Sequence, residues 1–168
     1  MDNTSAVMTT GSGRVTVIGA GNDLLKDEGI GVHVVKTMEG LKLPEDVVLV
    51  IGGVSGIDML EHFESSDRVI IVDAVDAGDT PGAVYRFGPE QVGVLVDEHK
   101  TSLHQVDLFD TIKMARFLGH CPETVIIGVQ PHDISWGTEP TTVLVSRIPE
   151  IIQVVMGEIG VLESSDQC

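Results

Sequence analysis

The chain predicts an α/β fold: a three-layer, open, twisted and mostly parallel sheet with helices on both faces and one antiparallel edge strand. Three observations carry this. Short runs of Val, Ile and Leu alternate along the chain with segments of helical period. The runs are continuously apolar, as in strands covered on both faces. Their regular alternation with helices is the pattern of a sheet built from crossover units.

Taken in order, residues 1–13 are small and polar and read as a flexible leader, and a single α/β domain is expected over 14–162. Val15, Val17 and Ile18 begin the first strand, which ends in Gly19-Ala20-Gly21-Asn22. A helix from about Asp27 to Gly40 follows, with Ile30, Val34, Val35 and Met38 on one face, and Gly40 and Pro44 stop it. Val47–Ile51 is the second strand, ending in Gly52-Gly53 ahead of a short helix around Gly56–Phe63. Arg68–Val72 is the third strand and ends on Asp73. The turn Asp79-Thr80-Pro81-Gly82 leads into a strand over Ala83–Phe87 at an edge. Leu103, Val106, Leu108, Ile112, Ala115 and Leu118 mark a helix closed by Gly119, and Thr124–Val129 is another buried strand. Thr141–Leu162 is the last helix, where Pro149 predicts a kink or a new start. Residues 163–168 form a flexible tail.

Composition narrows the function. The 168 residues are 42% hydrophobic but only 4% aromatic, so the core is built from Val, Ile, Leu and Met. The formal charge of −16 repels phosphate backbones and anionic lipid, which argues against nucleic acid and membranes as partners. It favours a cation or a basic protein segment, and gives no reason for tight self-association, so a monomer is expected. Cys121 and Cys168 form neither a CxxC pair nor a disulfide framework. The opening MDNTSAV lacks a basic segment before an apolar run, and no apolar stretch is long enough to span a bilayer. The expected location is cytoplasmic.

Ligands of open α/β sheets bind beyond the carboxyl ends of the strands. That rim holds Asn22, Asp27 and Glu28 after the first strand, Ser55 after the second, Asp73 and Asp76 after the third, and Gln130, His132 and Asp133 after the late strand. A dinucleotide site at Gly19-x-Gly21 is disfavoured, because Leu24 stands where the fingerprint needs its third glycine. Asp27-Glu28 would also repel a pyrophosphate. The two acids have a structural explanation, since a carboxylate in a first helical turn gains roughly 0.3–1 kcal/mol from the helix dipole. Either could equally be an oxygen ligand. Asp73 ends a Val/Ile/Ile/Val run, and a carboxylate so placed needs a donor or a cation. His104, at the start of a helix, and His132, beside Asp133, are both candidate ligands. HExxH and GxSxG are both absent. An oxygen, oxygen, nitrogen set of Glu28, Asp73 and His104 would suit a borderline ion such as nickel or zinc.

Five segments in order, Ile18-Gly19-Ala20-Gly21-Asn22-Asp23-Leu24-Leu25-Lys26-Asp27-Glu28-Gly29-Ile30-Gly31, Gly52-Gly53-Val54-Ser55-Gly56, Val69-Ile70-Ile71-Val72-Asp73-Ala74, Ser102-Leu103-His104-Gln105 and Gly128-Val129-Gln130-Pro131, resemble the hydrogenase maturation endopeptidases. The resemblance spans nearly all of the chain beyond the leader. It implies a protease, aspartyl-type or metal-dependent, that trims the C-terminus of a [NiFe] hydrogenase large-subunit precursor after nickel insertion. The family's three metal-binding positions fall on Glu28, Asp73 and His104, which are then also the candidate catalytic residues. The nickel is carried by the substrate, and other divalent ions can substitute. One departure is Ile51, where relatives commonly carry an acidic residue before Gly-Gly. Two rival readings are a non-proteolytic, metal-sensing chaperone of hydrogenase assembly and a Rossmann-type nucleotide-binding module.

Overall fold

The computed structural model describes residues 13–53, 57–91 and 103–160, with side chains at 103–107 and at Ile57 outside the description. The leader before Gly13, the tail over 163–168, Ser55 and the side chain of His104 therefore lie outside the described residues. Five strands form one sheet: β1 (Val15–Ala20), β2 (Val47–Gly53), β3 (Arg68–Ala74), β4 (Val84–Phe87) and β5 (Glu123–Val129). Their order across the sheet is β2-β1-β3-β5-β4. All pairs are parallel except β4 with β5, so the expected antiparallel edge strand is present.

The helices α1 (Ile30–Met38), α2 (Leu60–Ser65), α3 (Leu103–Phe117) and α4 (Thr142–Gly160) occupy two layers. Ile30, Val34, Val35 and Met38 of α1 join Leu144, Ile151, Val155 and Ile159 of α4 on one face, against Val15, Val17, Ile70 and Val72. Phe63 of α2 and Leu108, Ile112 and Ala115 of α3 cover the other face, against Ile18, Val69, Ile71 and Ile126. Successive strand residues thus feed opposite cores, which explains the unalternating runs. Each large apolar side chain so buried contributes about 1.5–3 kcal/mol.

Several expectations shift. The first helix does not begin at Asp27: a 3-10 turn over Lys26–Gly29 precedes α1, and Lys26 has φ +42°. The second helix opens with another 3-10 turn, Ile57–Met59, before α2. β2 is an edge strand and only partly buried, since a single neighbour and part of α1 cover it. Leu118 lies past the end of α3 and is exposed, with Gly119 closing the helix at φ +86°. α4 runs through Pro149 as one helix, without a new start. No described helix is long and apolar enough to cross a membrane.

A charged cluster sits at the amino ends of the strands. Arg68 is fully buried, pairs with Glu123 at 2.6 Å and with Glu158 of α4, and Arg86 of β4 also reaches Glu158. Burial raises the Glu158 pKa, but hydrogen bonds and charge from Arg86 and then Arg68 outweigh it and hold the carboxyl below its ordinary value.

Candidate functional site

The strand order reverses direction between β1 and β3. From β1 the chain crosses over α1 outward to β2, then returns past β1 to β3 on the other side. The carboxyl ends of β1 and β3 therefore diverge into a crevice, the place where such sheets bind ligands. Glu28 follows β1 and Asp73 lies near the end of β3.

Both carboxylates are nearly inaccessible, Glu28 at 8% and Asp73 at 2% relative exposure. Gly21 packs against the Glu28 backbone and close to the Asp73 carboxylate. With φ +112° it turns the chain sharply after β1, and a Cβ there would collide with the Glu28 carbonyl oxygen and lie 3.4 Å from Asp73 Oδ1. Glycine is required for the turn and for the close approach together. Gly19 and Gly31 serve a second approach: a Cβ on Gly31 would strike the carbonyl oxygens of Val72 and Ala20, and one on Gly19 would strike that of Gly31. The start of α1 is thereby pressed onto β1 and β3, a job the dinucleotide fingerprint gives to the glycine that Leu24 replaces here.

By strand alternation Asp73 shares its face with Val69 and Ile71, the face that α3 covers. His104 is in the first turn of α3. Glu28 and Asp73 are thus brought to one crevice, while the position of the His104 imidazole lies outside the described residues. Among the described residues no three His, Cys, Asp or Glu side chains converge as a metal site.

Asp27 plays a different part from Glu28. Its carboxylate is fully buried and accepts four hydrogen bonds, from the backbone N–H of His132 (2.9 Å), Asp133 (3.0 Å) and Thr141 (2.6 Å) and from the Thr141 hydroxyl (2.9 Å). The helix-dipole explanation does not apply to it: this side chain clamps the loop after β5. The Asp27 N–H donates to the Asp133 carbonyl, the Lys26 N–H donates to the Gly137 carbonyl, and Lys26 Nζ pairs with Asp133. The lysine's hydrogen bond, with further ones from Ser135, holds the Asp133 carboxyl well below the usual carboxylate range. His132 is an exposed side chain whose backbone is what the site uses.

Gln130 makes a second clamp. Its Oε1 accepts from the N–H groups of Ala77 and Asp79, and its Nε2 donates to Asp76 Oδ1. The loop after β3 is thereby tied to the end of β5. The sequence places Asp27 and Gln130 on the rim, but their roles as clamps depend on partners about 50 to 110 residues away, which local pattern does not encode. Ile51 is 46% exposed, and it lines a cleft of about 340 Å³ with Gly53, Asp58, Met59 and His62.

Comparison with known proteins is consistent over most of the chain. Residues 32–158 match the family model described as hydrogenase maturation protease, a span that holds Asp73 and His104 and begins just after Glu28. The hydrogenase expression/formation protein HupD of Bradyrhizobium diazoefficiens is 35% identical over 157 residues, 90% of this chain and 82% of that protein. The hydrogenase 2 maturation protease of Escherichia coli is 33% identical over 149 residues, 87% and 88% of the two chains. Among solved structures, the hydrogenase maturating endopeptidase HybD from E. coli superimposes with a TM-score of 0.80 at 31% identity, covering 88% of this chain and 92% of its own. The family model over most of the chain, with relatives of this identity and coverage on the same fold, shows that the chain belongs to the hydrogenase maturation protease family and is an enzyme of that type.

Proposed function

We propose that this enzyme removes a C-terminal extension from a [NiFe] hydrogenase large-subunit precursor after nickel insertion, and that Glu28, Asp73 and His104 read the nickel. The observation that supports this reading is the burial of Glu28 and Asp73 where the strand order reverses, with Gly21 packed against the Glu28 backbone and close to the Asp73 carboxylate. The two carboxylates and a neutral imidazole are an oxygen, oxygen, nitrogen donor set suited to a borderline divalent ion.

The chemistry is hydrolysis of one peptide bond. Water adds to the scissile carbonyl carbon, the carbon–nitrogen bond breaks, and the amine leaves with a proton. The large subunit keeps a new carboxylate end and the extension departs. The role of this chain is to seat the substrate's nickel so that the scissile peptide lies against the rim, where the metal or a carboxylate polarises the carbonyl or activates the water. A precursor without nickel would lack that anchor. Other divalent ions with similar coordination would substitute in binding assays.

The test is mass spectrometry of a nickel-loaded precursor incubated with wild type and with His104→Ala. Wild type is expected to shorten the precursor, and the variant to leave it intact while keeping a native circular dichroism spectrum. Processing at the wild-type rate by His104→Ala would remove the histidine from the mechanism. A precursor bound but never shortened by wild type would favour the non-proteolytic chaperone.

A further inference from the structure

Three large apolar side chains stand out of the rim beside Glu28. Trp136 is 79% exposed, Ile134 55% and Leu24 52%. Leu25 and Gly137 form a parallel bridge, and the Gly137 N–H donates to the Leu24 carbonyl. Leu24 and Trp136 directly precede the two bridged residues, and Ile134 lies two residues before Trp136 in the same loop. The loop is not loosely attached: the four hydrogen bonds into Asp27, with the bond from the Lys26 N–H to the Gly137 carbonyl, hold it against the turn that carries Glu28. A Cβ on Gly137 would meet the Lys26 side chain at 2.9 Å, so glycine lets the lysine stem lie across this junction.

A buried carboxylate is thus committed to holding an apolar loop out in water. Exposed apolar residues scattered singly are ordinary, whereas a ridge fixed in place beside a reaction site is a recognition surface. Its setting is acidic: Glu139 is exposed close by, and the chain carries a net charge of −16. We propose that Leu24, Ile134 and Trp136 form the docking ridge for the protein substrate, taking an apolar stretch of its polypeptide flanked by basic residues. This rests on the reading of the enzyme as a processing protease, and it adds where the polypeptide lies: along the β1 turn and the loop after β5, leading into the Glu28–Asp73 crevice. A second copy of the chain is the less suited occupant, because two surfaces of the same strong negative charge repel each other.

Trp136 is the sole tryptophan of the chain, so its emission reports the ridge directly. The experiment uses the full-length enzyme and a nickel-loaded large-subunit precursor, with emission taken as the difference between wild type and Trp136→Phe. Rapid mixing with excess precursor is expected to shift Trp136 emission to shorter wavelength. In steady-state processing, Trp136→Ala is expected to raise KM about tenfold while kcat stays near wild type, and Trp136→Phe to restore most of the loss. Higher salt is expected to raise the wild-type KM through the basic flanks.

An unchanged KM in Trp136→Ala, or unshifted emission while the precursor is being cut, would overturn the docking ridge. Emission already at short wavelength in the enzyme alone, moving to longer wavelength on dilution, would assign the ridge to a second copy and overturn it as well. An emission shift with a precursor that wild type never shortens would keep the ridge and refute the peptidase reading.

Discussion

Asp27 concentrates four acceptor contacts on one buried carboxylate, and three of the donors are backbone N–H groups. Replacing it by Ala leaves these donors to find water in a confined place, at about 1–3 kcal/mol for each that stays unsatisfied. Because the loop is near the surface some will rehydrate, so a net loss of about 3 kcal/mol is expected, read as a lower urea midpoint at unchanged slope. Asp27→Asn keeps one acceptor oxygen but turns an amide toward N–H groups, and is expected to recover only part of that stability. The neighbouring acid, Glu28, is expected to behave oppositely, with Glu28→Gln costing processing far more than stability. Periodicity and spacing treat the adjacent pair alike, as acids at a helix start, and only the resemblance marks Glu28. The fold alone shows Asp27 to be a clamp, because that role is set by what its side chain meets across the chain.

At the scale of elements, β4 shows how an edge is finished. Gly82, with φ +85°, ends the turn before the strand, and its N–H donates to the Gln130 carbonyl. The Tyr85 hydroxyl donates to the Asp79 carboxylate, tying strand to turn. That hydrogen bond, then burial and the nearby negative charge, pushes the phenol up to about 12 from its ordinary 10.0, while the same bond lowers Asp79. Tyr85 is the sole tyrosine of the chain, so phenolate absorbance follows this one contact. A raised folded pKa means that the contact's stabilisation is complete below pH 10.0 and is lost as pH rises through about 12. Between those limits wild type is expected to show little phenolate, and Asp79→Asn to show much more. The edge strand and its turn are legible in Asp79-Thr80-Pro81-Gly82 because turn chemistry is local. The 3-10 opening before α1 is not, since it answers to the close approach of Gly31 to the Val72 carbonyl of β3.

For the whole molecule, electrostatics acts at two ranges. At short range, Glu158 and Asp133 have lowered pKa values, so their pairing stabilises the fold above the ordinary carboxylate value and is lost as pH falls through their folded values. The urea midpoint is expected to fall steadily below about pH 4.5. Replacing the buried pair together, Arg68→Met with Glu158→Leu, is expected to shallow that fall at little cost in stability near neutral pH, since their other partners, Glu123 and Arg86, are partly exposed and can turn to water. At long range, an excess of 16 negative charges strains the compact state, so moderate salt at pH 7 is expected to raise the melting temperature.

What the amino-acid sequence determined by itself was the alternation of strands and helices, the doubly covered sheet, the crowding of polar residues at strand ends and, through its motif segments, the family. These follow from periodicity and turn chemistry, which act over a few residues. The tertiary structure alone decided which strands adjoin, that Glu28 and Asp73 are buried near the reversal of strand order, that Asp27 is a clamp, and that Arg68 is buried among acids from β5 and α4. Those outcomes depend on contacts between residues tens of positions apart, whose partners are chosen by packing the whole chain and not by any local pattern.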